Sequence, residues 1–155
     1  MAMVETGVFV GSVPPWVKMG IAVESALTSA DAIRMAGLDW TVTSQPIQVV
    51  GGATIEGMKA NVRSSDQKVL GVVTDRYKVV KNAEAFAFTD MLLGEGVKYE
   101  TAGSLSSGKR VWLLAKMETT TVCGDAVEPY LVFTNSHDGT GAVKVAVTPI
   151  RVVCQ

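Results

Sequence analysis

Apolar and polar residues alternate over Met58–Ser64: Met58, Ala60 and Val62 stand against Lys59, Asn61 and Arg63. A period of two is the signature of a half-buried strand. Val69–Thr74 is instead a near-continuous apolar run, which predicts a central strand. Asp75-Arg76 breaks that run and Tyr77–Val80 resumes it. Thr28 and Ser29 are cap candidates for a helix over Ala30–Ala36, with Gly37 as its stop. Asn82 is the cap candidate for a second helix over Ala83–Leu93, where Ala83, Phe86, Ala87 and Met91 recur at helical spacing and Gly94 ends the segment. Further strands are expected at Trp40–Thr43, Gln48–Val50, Val97–Thr101, Arg110–Lys116, Glu128–Asn135 and Ala142–Cys154. Glycine-bearing turns between them favour hairpins over crossovers. Residues 1–20, punctuated by glycine and by Pro14-Pro15, read as an irregular N-terminal segment. The sum is a single α+β domain over residues 1–155, with a largely antiparallel twisted sheet of six to eight strands and two main helices.

Composition narrows the class. The chain has 155 residues, 48% of them apolar and 19% charged, enough for one core and unlike a disordered chain. No apolar window reaches 18 residues and Glu5 is the first charge, so neither a membrane-spanning helix nor a secretory leader is expected. Cys123 and Cys154 then read as reduced thiols, small buried residues of a core. Val143–Gln155 is apolar to its last residue, which predicts either a longer parent protein or an end that docks on a neighbour.

Charge is unevenly distributed. The formal total of −1 excludes a strongly basic nucleic-acid binder on overall charge, yet residues 59–116 carry +4 between flanks of −3 and −2. Lys59, Arg63, Arg76, Lys78 and Lys81 crowd into this stretch, and Lys109 and Arg110 stand on a later hairpin tip. By strand parity Lys59 and Arg63 share one face, and Arg76 and Lys78 another. One reading is a stripe that tracks a phosphate backbone, with Tyr77 and Tyr99 as stacking platforms. The other is the solvated outer face of a sheet, with lysines blunting an edge.

No catalytic constellation stands out. His137, the single histidine, lies in Asn135-Ser136-His137-Asp138-Gly139. This motif reads as a polar turn whose side chains bond the backbone, or as a polar site with Arg151. Metal-ligand spacing is absent, and neither metal nor cofactor is implied. Gly103–Arg110 superficially suggests a phosphate-binding loop of nucleotide hydrolases. Arg110 occupies the place of the magnesium-binding hydroxyl, however, and a strand follows where that loop needs a helix.

Several motifs occur together in order: Ala36–Trp40, Leu70–Asn82, Ala102–Leu105, Arg110–Trp112, Thr134–Gly139 and Thr148–Gln155. Across residues 16–155 the chain resembles the phage/plasmid-like protein family built on domain of unknown function 932. Members continue past the equivalent of Gln155, and their Trp-His-Gly-Leu-Gly opening is replaced here by Trp16–Gly20. The resemblance implies a phage, prophage or plasmid setting in a bacterial host cytoplasm, without a settled activity. The order of helix, Trp-led strand, hairpins and helix is also similar to the core of Rad52-like annealing proteins, at the level of fold alone.

The leading expectation is an oligomeric, non-enzymatic protein that holds or anneals single-stranded DNA through Lys59, Arg63, Arg76, Lys78, Lys81, Lys109 and Arg110. The alternative is a protein-interaction module, such as a host-takeover, anti-defence or virion-associated factor, acting through a sheet edge or the C-terminal strand. A third reading, an enzyme built on His137, Asp138, Arg151 and Cys154, requires those groups to meet.

Overall fold

The computed structural model describes residues 4–9, 21–22, 26, 28–93, 98–141 and 143–151. The fold is α+β. Its elements run β1 (Val4–Phe9), β2 (Ile21–Ala22), α1 (Ser29–Met35), β3 (Val42–Gln48), β4 (Thr54–Arg63), β5 (Val69–Thr74), α2 (Asn82–Leu93), β6 (Lys98–Leu105), β7 (Arg110–Lys116), β8 (Thr120–Val122), β9 (Asp125–Ser136) and β10 (Lys144–Arg151).

Among the described residues the strands form two sheets rather than one. Seven build a sheet of order β10-β9-β7-β6-β1-β2 with β8 attached to β9, and three form a separate sheet, β3-β4-β5. Every pairing is antiparallel except β1 with β2. The hairpin signals had anticipated this, because two- to five-residue glycine turns can join only antiparallel neighbours.

Both helices pack on one face of the large sheet. Ile33, Ala36 and Leu38 from the first helical region and Ala85 and Phe86 from α2 meet Val111, Leu113, Ala115 and Phe133. Leu113 and Phe133 sit opposite each other across β7 and β9, so one face of two adjacent strands supplies the core. Thr28 caps α1 by accepting a hydrogen bond from the Asp31 amide, and Gly37 leaves the helix at φ +66°, a conformation in which a side chain is strained. A polar clamp ties the helices to β6. The Ser29 amide and hydroxyl donate to Asp90 at 2.9 and 2.6 Å, and the Tyr99 hydroxyl donates to the same carboxylate.

Several expectations are corrected. The N-terminal segment is not irregular throughout: Val4–Phe9 pairs with Thr101–Leu105 of β6, while residues 10–20 lie outside those described. Val69–Thr74 is an edge strand of the small sheet, not a central one. Its apolar run is accommodated because Leu70 and Val73 are buried while Val69 and Val72 remain exposed. Tyr77–Val80 forms no strand and crosses irregularly to α2. Cys123 is exposed at a tight turn with φ +51°, not a core residue, and Cys154 lies outside the described residues, as does Gly94. Asn82 begins α2 but does not cap it. Its buried side chain turns away from the helix, as described below.

Candidate functional site

The polar positions of β4 are the key to this region. Alternation predicts that Lys59, Asn61 and Arg63 face solvent, opposite the apolar positions. The structure turns them onto loops of the neighbouring layer. Lys59 Nζ donates to the carbonyls of Asp75 and Tyr77 at 3.2 and 2.7 Å. Asn61 is fully buried, and its Nδ2 donates to the His137 carbonyl at 2.8 Å. Arg63 Nη1 donates to the Ser107 carbonyl at 3.1 Å, while Nε and Nη2 grip Asp66 at 2.8 and 2.6 Å. The Arg63 guanidinium also lies 5.4 Å from the centre of the Trp40 ring, a cation–π contact. Successive donors spaced two apart thus bond a row of loop carbonyls, and the bond to the His137 carbonyl is buried. The Lys59 and Arg63 side chains are spent on the fold, and the Arg63 side chain retains only 14% exposure.

His137 stands where the layers meet. It is fully buried, and its ring lies edge-on to Trp40 with centroids 5.3 Å apart. Asn82 Nδ2 donates to the Leu38 carbonyl at 2.9 Å, so Asn82 Oδ1 is an acceptor. His137 Nε2 therefore carries the proton and donates to that oxygen at 2.8 Å. Nδ1 is then an acceptor with no hydrogen-bond partner among the described residues. Burial drives the imidazole pKa down to about 4, against a smaller opposing pull from Asp138. At neutral pH the ring is uncharged. It joins the end of α1, the start of α2 and the end of β9, and it is placed to hold structure.

Asp138 organises the turn that follows. Its Oδ1 accepts from Ser136 Oγ and Thr140 Oγ1, both at 2.6 Å, and from the Thr140 amide at 2.9 Å. Burial alone would raise its pKa, but these bonds and the nearby Arg110 charge outweigh it and hold the carboxyl below the usual range. Gly139 completes the turn at φ +81°. Gly71 of β5 lies directly on this loop: a Cβ there would sit 2.5 Å from Asp138 Cα. The two sheets therefore meet backbone to side chain-free backbone.

Arg151 does not join this cluster. Its backbone pairs with Val127, near the start of β9, ten residues along the chain from His137. At ~3.3 Å per residue that separation is roughly 33 Å along the strand. Cys154 lies outside the described residues. No group of His, Cys, Asp and Glu among the described residues is arranged to hold a metal.

The remaining cations have a different surrounding. Arg76, Lys78, Lys81, Lys109 and Arg110 are all exposed. Both segments that carry them are tied to the loop Asn135–Thr140. On one side Tyr77 Oη donates to the Ser136 carbonyl at 2.6 Å and Asn135 Nδ2 donates to the Val80 carbonyl at 2.8 Å. On the other, the His137 amide donates to the Lys109 carbonyl at 2.7 Å and Arg110 Nη2 reaches Thr140 Oγ1 at 3.5 Å. Lys81 lies 3.9 Å from Glu84, a loose exposed pair worth little. The hairpin tip leads into strand β7, so Gly103–Arg110 lacks the helix that a nucleotide-hydrolase loop requires.

Sequence reasoning missed the roles of Asn61, Asn82 and Trp40. The one available signal was Asn61 itself, an amide between two cations on a strand face, which a plain solvated face does not need.

No helix among the described residues is long and apolar enough to cross a membrane. A family model for a domain of unknown function, DUF932, matches residues 69–155. No curated protein and no solved structure matches the chain. The matched region holds Arg76, Lys78, Lys81, Lys109, Arg110 and the His137 loop, while Lys59, Asn61 and Arg63 precede it.

Proposed function

Since the chain belongs to the DUF932 family, whose function is unknown, we propose that it binds and anneals single-stranded DNA without catalysing a reaction. Support comes from one observation above all: Arg76, Lys78 and Lys81 on one segment and Lys109 and Arg110 on another are exposed and anchored to the same loop. Cations held by a rigid frame neutralise backbone phosphates and release counterions, so binding falls with salt. Lys59 and Arg63 are no longer contacts in this reading. They brace the frame behind the contacts. A phage- or plasmid-borne recombination role in a bacterial cytoplasm, a Rad52-like core and a homo-oligomeric working form belong to the same proposal.

The test is fluorescence anisotropy of a labelled single strand, titrated at low and moderate salt. Each neutralised phosphate contributes about 0.7 to the slope of log affinity on log salt, so charge reversal at Arg76 and Lys78 is expected to flatten it by roughly 1.4. Affinity and slope unchanged in that double variant would refute the site.

A second reading, a protein-interaction module, draws on the sheet edges. Val69 and Val72 on β5 are 53% and 52% exposed, and Val145 and Val147 on β10 are 45% and 60% exposed. Both strands are edges of their sheets among the described residues, with backbone groups available for strand addition. Recovery of a stoichiometric partner by a protein with no affinity for single strands would favour this reading over the first.

A further inference from the structure

We infer that β5, the edge strand Val69–Thr74, pairs antiparallel with β5 of a second copy of this chain across a two-fold axis, joining two three-stranded sheets edge to edge. This gives the homo-oligomeric form proposed above a defined contact, and it does not rest on DNA binding.

Backbone bonds decide which edge is open. The Asp75 amide donates to the Gly57 carbonyl and the Arg63 amide to the Lys68 carbonyl. The bonded pairs of β4 with β5 therefore run through Gly57–Asp75, Lys59–Val73 and Asn61–Gly71. The alternate residues Val72 and Thr74 turn their N–H and C=O groups away from the sheet. Of these groups only the Thr74 carbonyl has a backbone partner among the described residues, the Tyr77 amide. On the other edge the Ser64 amide donates to the Thr41 carbonyl. The same alternation then points the Pro46 nitrogen outward, where proline has no N–H to offer, so β3 is blunted. β5 carries neither a proline nor a charge, two of the devices that protect an edge.

The open strand complements itself. Leu70 is an extra residue taken up as a bulge, so Val69 and Val72 stand opposite Val62 and Ala60 on one face. Both valines are about half exposed, beside Met58, Ala60 and Val62, and the exposed Thr43, Gln45 and Thr74 add no charge to that face. Pairing through the outward groups of Val72 sets it opposite Val72 of the second copy. Counting from there, with the bulge taken up as it is on β4, Val69 falls opposite Thr74 and Lys68 opposite Asp75. The two-fold axis forms this Lys–Asp pair at both ends. Lys68 and Asp75 are exposed, and neither is in an ion pair among the described residues. They meet at a non-hydrogen-bonded position, where facing side chains come closest. An unrelated strand would match these ends only by coincidence, whereas a second copy matches them by symmetry. The contact also closes, because it uses both open edges and leaves the Pro46 edges outside.

The experiment is sedimentation velocity on the full chain without DNA, over a concentration series reaching hundreds of micromolar. Wild type is expected to pass from monomer to dimer as concentration rises. Val72→Pro removes the outward N–H and leaves the bonds to β4, and is expected to weaken association about tenfold or more. Lys68→Glu sets like charges opposite each other at both ends and is expected to weaken it about tenfold. Adding Asp75→Lys restores opposite signs and is expected to recover most of that loss. Circular dichroism checks folding, and if Val72→Pro does not fold, the exposed charge pair carries the test. A wild type that stays monomeric throughout overturns the contact. So does an assembly of any size that Lys68→Glu leaves unchanged, or a weakening that Asp75→Lys does not reverse. With DNA absent, each of these results leaves the strand-binding reading to its own titration.

Discussion

Acidification below neutral pH is expected to destabilise this protein chiefly through His137. An ordinary histidine titrates near 6.5, and burial lowers the His137 pKa to about 4. Above 6.5 the ring is neutral whether the chain is folded or unfolded, so the full stability is present. Between 6.5 and 4 the unfolded chain takes up a proton that the folded chain refuses, and stability falls with pH. Below 4 both states are protonated and the loss is complete, roughly 3 kcal/mol, or about 2.5 kcal/mol already at pH ~4.5. That is a large share of the ~5–15 kcal/mol that holds a domain together. The cost arises because a charged ring would sit between Trp40 and Asn82 with no acceptor at Nδ1. Burial raises the Glu100 pKa, so Glu100 acts in the opposite sense: its protonation on acidification favours the folded state. The assay is urea unfolding followed by tryptophan fluorescence at several pH values between 7.5 and 4.5. The informative quantity is the pH slope of wild type against His137→Gln, which cannot titrate. The variant is expected to lose about 1 kcal/mol at neutral pH from its poorer bond to Asn82 and to show a much flatter profile below it. Parallel profiles for the two proteins would refute the reasoning, because every carboxylate is common to both.

Other perturbations test the frame around His137. Gly71→Ala places a methyl group 2.5 Å from Asp138 Cα, so a loss of about 1–3 kcal/mol from overpacking is expected in the same unfolding assay; an unchanged midpoint would show that the sheets do not meet there. Asn61→Ala removes the donor to the buried His137 carbonyl and is expected to cost about 1–3 kcal/mol, whereas a cost near zero would mean the carbonyl has another partner. Burial raises the pKa of Tyr77, Tyr99 and Tyr130, with Asp138, Asp90 and Glu100 respectively adding to it. Their folded phenols should therefore stay protonated as pH passes 10, stability should fall above that value, and phenolate absorbance should appear together with unfolding; a smooth titration near pH 10 in the native protein would contradict this. Cys123 is exposed and should react with a thiol reagent without denaturant, which a buried thiol would not do.

Much of the architecture was legible in the chain because it depends on neighbours in sequence. The Thr28 cap and the Gly37 stop define α1 through local bonds and backbone freedom. Helical spacing of Ala83, Phe86, Ala87 and Met91 marked α2, observed over Asn82–Leu93, and the glycine-bearing loop Ser136–Gly141 marked the β9–β10 pair. Periodicity identified β4 as a strand and its two faces as chemically different. It could not say what each face would meet. The face bearing Lys59, Asn61 and Arg63 looks solvated in isolation, but a surface of loop carbonyls needs donors, and those residues supply them.

The candidate site divides along the same line. Local sequence determined that Ser136–Thr140 is a turn, since Asp138 and Gly139 satisfy it from within. It also determined that residues 59–116 carry the positive charge. Only the tertiary structure decided which cations remain outside, by bringing Tyr77, Val80, Lys109 and Arg110 to one loop from segments about thirty residues apart. It likewise decided that His137 is buried and that Arg151 is far from it. The physical reason is range: propensity, capping and periodicity act over a few residues, whereas burial and hydrogen-bond satisfaction depend on surfaces that exist only once distant segments have packed.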